Sequence, residues 1–160
     1  EAYARGVLAD QDALPFTLSD CNRRLLPFGL DCQKVPEMME RFVKKSTVFQ
    51  QTGGVHCGGV AVGDELLFFA EDIARYQAFH KSLGYAAQIK QEAFSAAPYL
   101  LISGRVSAQM ILACARVGVK LLISKSAPLS QAVQLAQQYQ VGLLGFVRGT
   151  RFHVYHLPEF

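Results

Sequence analysis

The sequence is short of charge, long apolar runs and cysteine, and each shortage removes a class of protein. Only 18% of the 160 residues are charged against 51% hydrophobic. That balance buries enough apolar surface to fold, which excludes disorder. A domain of this length buries about two thirds of its unfolded surface, so it needs neither disulfide nor metal merely to hold a core. No stretch reaches the ~18 apolar residues of a membrane span, because Asp64, Glu71, Arg75, Arg105, Lys120 and Lys125 interrupt the hydrophobic segments. The formal net charge is +3, with no basic run, which gives no electrostatic footprint for nucleic acid. The eleven Phe residues fall mostly within apolar runs rather than between cations, so no stacking face is expected either. Neither a membrane nor a nucleic acid is an expected partner.

The four cysteines, Cys21, Cys32, Cys57 and Cys114, stand well apart with no Cys-x-x-Cys pair. That spacing suits no zinc knuckle and reads as free thiols in a reducing compartment. The chain starts at Glu1 without Met and shows no secretory leader, which reads as a trimmed chain or a C-terminal domain. No Gly-x-Gly-x-x-Gly follows a strand and no Gly-x4-Gly-Lys-Ser/Thr occurs, so dinucleotide dehydrogenases and P-loop enzymes fall away. A zinc deaminase needs His-x-Glu and Pro-Cys-x-x-Cys, whereas His56 is followed by Cys57 and Gly58. His153 and His156 lie three apart on a predicted strand and so point to opposite faces, poor geometry for one metal.

Residues 1–34 show no sustained periodicity and read as an irregular segment. After Val35-Pro36, the residues Met38, Met39, Phe42, Val43 and Phe49 share a face, which predicts one amphipathic helix ended at Thr52-Gly53-Gly54. Val55 to Val62, Gly63-Asp64 and Glu65 to Ala70 read as a hairpin. Asp72 is a candidate N-cap for a helix with Ile73, Tyr76, Phe79 and Leu83, ended by Gly84. Strand and helix then alternate. Tyr99–Ser103, a helix from Ser107 to Gly118, Val119–Ser124, a helix opened by Pro128 through Tyr139, Val141–Gly145 and Phe152–His156 complete the pattern. Short connections between such elements predict an α/β fold with a mainly parallel sheet flanked by helices and a front β-hairpin.

In such a sheet, ligands sit at the carboxyl edge of the strands. That edge collects Ser103-Gly104-Arg105, Ser124-Lys125-Ser126 and the run Gly145-Phe146-Val147-Arg148-Gly149-Thr150-Arg151. Taken singly, each cation is an ordinary solvated strand-end residue. Together, Arg105, Lys125, Arg148 and Arg151 beside glycines and helix N-termini predict an anion site suited to a phosphate-bearing nucleotide.

The ordered strings Thr52-Gly53-Gly54-Val55-His56, Glu71-Asp72-Ile73-Ala74-Arg75, Ser103-Gly104-Arg105-Val106-Ser107, Ser126-Ala127-Pro128 and Gly145 to Arg151 carry a further meaning. Residues 35–160 resemble the formate dehydrogenase accessory protein family, FdhD. The resemblance implies a cytidine-deaminase-like fold without zinc in a cytoplasmic, dimeric sulfur carrier. Such a carrier takes persulfide sulfur from a cysteine desulfurase and passes it to the bis-molybdopterin guanine dinucleotide form of the molybdenum cofactor for formate dehydrogenase. It also implies that Phe146, Val147, Arg148, Gly149, Thr150 and Arg151 form the cofactor-binding segment, joined by Arg105 and Lys125 from the anion edge.

Departures from the family pattern are equally specific. The usual Cys-x-x-Cys loop is represented by Cys21-Asn22-Arg23-Arg24, so a second thiol is missing, and Gly-Arg-His-Asn is replaced by Ala74-Arg75-Tyr76-Gln77 with His80 at a usual Asp. Cys21 is the expected sulfur-bearing thiol, because Arg23 and Arg24 favour its thiolate. Cys32 is a fallback. Cys57, beside an imidazole, is open to activation but on a half-buried strand reads more often as packing, and Cys114 reads as core. The alternative function is a non-catalytic chaperone that binds the cofactor or a guanine nucleotide and has lost sulfur transfer.

Overall fold

A computed structural model describes residues 30–89 and 97–158, together with the strand backbones at 14–17 and 25–26. In chain order the elements are β1 (Leu14–Thr17), β2 (Leu25–Leu26), β3 (Leu30–Asp31), a 3-10 turn (Cys32–Lys34), α1 (Val35–Lys44), α2 (Thr47–Thr52), β4 (His56–Val62) and β5 (Glu65–Asp72). They continue with α3 (Arg75–Ile89), β6 (Tyr99–Ile102), α4 (Ala108–Val117), β7 (Leu121–Ser124), α5 (Ser130–Gln138), β8 (Gly142–Arg148) and β9 (Arg151–His156). Seven strands form one sheet in the order β1-β9-β8-β7-β6-β4-β5, and β2 pairs with β3 apart from it.

The sheet is mixed, which corrects the expected mainly parallel arrangement. Only β6 with β7 and β7 with β8 run parallel, the two pairings bridged by helical crossovers. The flanking pairs are antiparallel. Two of these joins are too short for a crossover, since only an antiparallel partner can follow a two-residue turn. Gly63, at φ +54, turns β4 into β5, and Gly149, at φ +57, turns β8 into β9. The pairing of β4 with β6 has no such local cause and was invisible in the sequence.

Layering follows from the strands. β6 (Tyr-Leu-Leu-Ile) and β7 (Leu-Leu-Ile-Ser) are buried at every position, as expected of strands covered on both faces. Leu100 and Ile102 pack with Phe79, Met110, Ile111, Val133 and Ala136 beneath α3, α4 and α5. Their neighbours Tyr99 and Leu101 face the opposite way, into Met38, Met39 and Phe42 of α1. The sheet is thus sandwiched between three helices and one.

Several boundaries move. The single helix expected after Pro36 breaks at Ser46, whose buried hydroxyl donates to the Glu71 carboxylate. The buried Ser46 hydroxyl is thereby paired, as buried polar groups generally are. Asp72 holds the Ala74 amide at 2.9 Å and pairs with Lys81 at 2.8 Å, so α3 starts later than expected and Ile73 is 81% exposed. Gly84 does not end that helix. It faces open space within it, where glycine costs about 1 kcal/mol without breaking the turn. The first 34 residues, expected to be irregular, contribute β1 to the edge of the main sheet beside β9. Finally, the stretch 146–148 is not loop but the end of β8.

Candidate functional site

The carboxyl ends of the three parallel strands β6, β7 and β8 lie side by side, and the connections leaving β6 and β7 are tied together. Val106 bridges Pro128, and the Lys125 amide donates to the Ile102 carbonyl at 3.0 Å. The Ser124 hydroxyl donates to the Gly104 carbonyl at 2.8 Å and accepts from the Ser126 amide at 3.0 Å. Because β4 runs antiparallel to β6, its first residues, His56 and Cys57, arrive at the same edge. There the Cys57 amide donates to the Ser103 hydroxyl at 2.9 Å and the Ser103 amide to the Cys57 carbonyl at 3.1 Å.

A cavity of about 330 Å³ opens at this convergence, lined by Gly53, Gly54, His56 and Cys57 from the start of β4 and by Ser103, Lys125, Ser126 and Arg148 from the parallel strands. Phe49 and Val43 supply an apolar wall from the helical side. A second cavity, of about 380 Å³, lies against α1 and is lined by Pro36, Met39, Glu40, Lys44, Val147 and Gly149. Val43, Lys125 and Arg148 belong to both. The ion pairs among the described residues are Lys34–Asp64, Lys44–Glu40 and Lys81–Asp72, so neither cation on the shared wall is in an ion pair with a described carboxylate.

Charge also reaches His56. Burial, then Arg75 and Arg105, hold its imidazole below the ordinary histidine value, so it is neutral at pH 7. Gly104 makes this crowding possible, since a side chain there would meet Arg75 Cδ at 3.0 Å and His56 Nδ1 at 3.2 Å. At the end of β8, Phe146 adopts φ +50, and the pairing with β9 shifts register between Gly145 and Arg148. This bulge sets the Arg148 guanidinium 5.9 Å from the Phe146 ring centroid, within cation–π range.

Comparison with known proteins now decides the family. Residues 13–159 match the family model described as the FdhD/NarQ family. The chain belongs to the FdhD/NarQ family. Among its relatives, the sulfur carrier protein FdhD of Shouchella clausii is 38% identical over 122 residues, covering 76% of this chain and 45% of that protein. The sulfur carrier protein FdhD of Halalkalibacterium halodurans is 36% identical over 126 residues, covering 76% and 44%. A crystal structure from Desulfotalea psychrophila, described as a formate dehydrogenase accessory protein, superposes with a TM-score of 0.69 at 28% identity, covering 84% of this chain and 57% of that one. The chain therefore spans a little under half the length of the curated relatives it matches.

Within this FdhD-type fold, the residues predicted from sequence divide. Lys125 and Arg148 meet at the shared cavity wall, with Gly149 and Val147 in the second cavity. Val147 is 2% exposed and packs mainly as core. Arg151 is exposed opposite Arg148 across the hairpin, Thr150 is exposed in the turn, and Phe146 packs against His153 at 5.4 Å between centroids. Arg105 acts on His56 but lines neither cavity. Cys21 lies outside the described residues. Cys32, expected as a free thiol, is disulfide-bonded, whereas Cys57 and Cys114 are free. Sequence reading placed Ser103 and Ser126 on this edge but missed His56 and Cys57 as cavity residues, because only the antiparallel run of β4 brings these two there.

Among the described residues, no group of three or more His, Cys, Asp or Glu is placed to hold a metal ion. His153 and His156 follow the expected alternation, with Phe152 in one core and Tyr155 in the other. Elemental analysis of the purified protein is expected to find no stoichiometric zinc, and a chelator to leave the melting temperature unchanged. Zinc at one equivalent would overturn this.

Proposed function

We propose that this chain is part of a sulfur-carrier accessory protein for formate dehydrogenase. It takes persulfide sulfur from a cysteine desulfurase and passes it to the bis-molybdopterin guanine dinucleotide cofactor, which is here cargo rather than a resident group. Membership of the FdhD/NarQ family and the relatives' designation as sulfur carriers support the sulfur role. The observation that carries the ligand reading is the pair Lys125 and Arg148, in no ion pair with a described carboxylate, on the wall between two partly apolar cavities. Phosphates bind such cations by charge-assisted hydrogen bonds, and the cavities on either side offer room for the uncharged ends of a nucleotide-bearing molecule. The fold is read as deaminase-like without zinc, and the protein as a cytoplasmic homodimer. Among the described residues, no helix is long and apolar enough to cross a membrane.

Arg105, Phe146, Thr150 and Arg151 complete the ligand-binding set in this reading, and Cys21, in its reduced form, is a further candidate to bear the sulfur. Calorimetric titration tests the ligand. Guanosine diphosphate, standing in for one arm of the cofactor, is expected to bind more tightly than guanosine and more weakly as salt rises. Equal affinity of nucleoside and nucleotide would remove the phosphate role of the cavity wall.

A further inference from the structure

The two free thiols among the described residues have opposite surroundings. Cys114 is fully enclosed by the core on α4, and burial alone pushes its thiol far above the ordinary cysteine range. Cys57 is also little exposed, at 3%, but it lines the first cavity with His56, Ser103, Lys125 and Arg148. The Cys57 amide is held on the Ser103 hydroxyl at 2.9 Å, which fixes the residue on the cavity wall, and the Ser46 and Ser103 hydroxyls and the Lys125 ammonium favour its anion. Ser46 is itself fully buried and fixed on Glu71.

We infer that Cys57 accepts and holds sulfane sulfur at the wall of the cation cavity. This rests on the sulfur-carrier reading above and names the thiol that serves it in the described part of the chain. The step needs a donor persulfide, R–S–SH, and nothing else. Cys57 Sγ attacks the donor's terminal sulfur, the new Sγ–S bond forms as the donor S–S bond breaks, and the donor departs as R–SH carrying the proton that Cys57 gives up. Sulfur and electrons are conserved between the two partners, so no oxidant or reductant enters.

The surroundings suit each stage. Burial, with Glu71 adding to it, pushes the resting thiol up, so it is protonated at pH 7 and shielded from indiscriminate oxidation. The Ser46 and Ser103 hydroxyls and Lys125 oppose that shift and stabilise negative charge once sulfur chemistry begins. A cavity of about 330 Å³ leaves space beside the sulfur for an added atom.

Mass mapping tests the inference. The full chain is incubated with a cysteine desulfurase and cysteine, and in parallel with inorganic polysulfide, then alkylated, digested and analysed peptide by peptide. One added sulfur atom is expected on the Cys57 peptide in both arms, and Cys57→Ser should lose it while its melting curve shows a folded protein. Should that variant fail to fold, the wild-type map alone decides. Sulfur on Cys21 with none on Cys57 would overturn the inference and leave the sulfur-carrier reading standing. A chain that takes sulfur from the desulfurase on no cysteine would overturn both, in favour of a chaperone that only binds its ligand.

Discussion

Replacing Lys125 and Arg148 together by alanine is expected to weaken guanosine diphosphate binding about a hundredfold, with each single replacement costing about tenfold. A hydrogen bond to a charged group contributes about 1.5–3 kcal/mol, and the lower end applies because Arg148 is exposed and Lys125 only half-buried. Neither side chain is in an ion pair with a described carboxylate, so removing them leaves no buried charge stranded. The melting temperature of the free protein should therefore hardly move, since surface substitutions of this kind usually stay within about 0.5 kcal/mol. Arg151→Ala, across the hairpin, is expected to weaken binding by a similar single step, about tenfold. Titration calorimetry with the three single variants and the double variant provides the measurement. Unchanged affinity in the double variant would place the phosphate elsewhere.

Gly58→Ala is expected to produce the largest loss of stability of any glycine-to-alanine change among the described glycines. A Cβ at Gly58 would stand 2.2 Å from the Ala78 carbonyl oxygen and 2.5 Å from Ser82 Oγ. The first of these is helix backbone and cannot swing aside, so α3 must lift from β4. Overpacking in a well-filled core typically costs about 1–3 kcal/mol, and a clash with backbone belongs at or beyond the top of that range. Against a total stability of about 5–15 kcal/mol, denaturant melts should show a markedly lower midpoint or no cooperative transition at all. Gly84→Ala gives the contrast. Nothing lies within 4 Å of its would-be Cβ, and replacing an interior helix glycine by alanine should raise stability by about 1 kcal/mol. Equal behaviour of the two variants would mean that α3 does not rest on Gly58.

The contrast between these glycines also explains what could be read from the sequence. Local signals carried the elements: Pro36 at the start of α1, Gly63 in the first hairpin turn, and the mostly apolar β6 and β7 all announced themselves within a few residues. That Lys125 and Arg148 share one edge was legible because each stands at the end of a parallel strand, and strand ends collect on one edge. Features that depend on nonlocal pairing were not legible. Nothing near His56 in sequence tells that β4 runs antiparallel beside β6, yet that pairing alone brings His56 and Cys57 to the cavity. The break at Ser46 likewise depends on Glu71, twenty-five residues away, and Gly84 looks like a helix end until α3 is seen to continue past it.

On the proposed nucleotide reading, the wall common to both cavities would set a stoichiometry. Lys125 and Arg148 are one pair of positive charges serving two chambers, so two separate nucleotides, one in each, would bring their phosphates to the same address and repel one another. The first would occupy the cations and the second would meet an already neutralised wall, so the chambers would be anticooperative toward small anionic ligands, with tight occupancy of one per chain. A molecule whose two uncharged ends are joined through phosphate escapes this competition. Its charge engages the wall once, and binding of one end raises the local concentration of the other at the neighbouring chamber. Selection between a free mononucleotide and a larger joined ligand then follows from how the charge is shared, without any contact that reads the base.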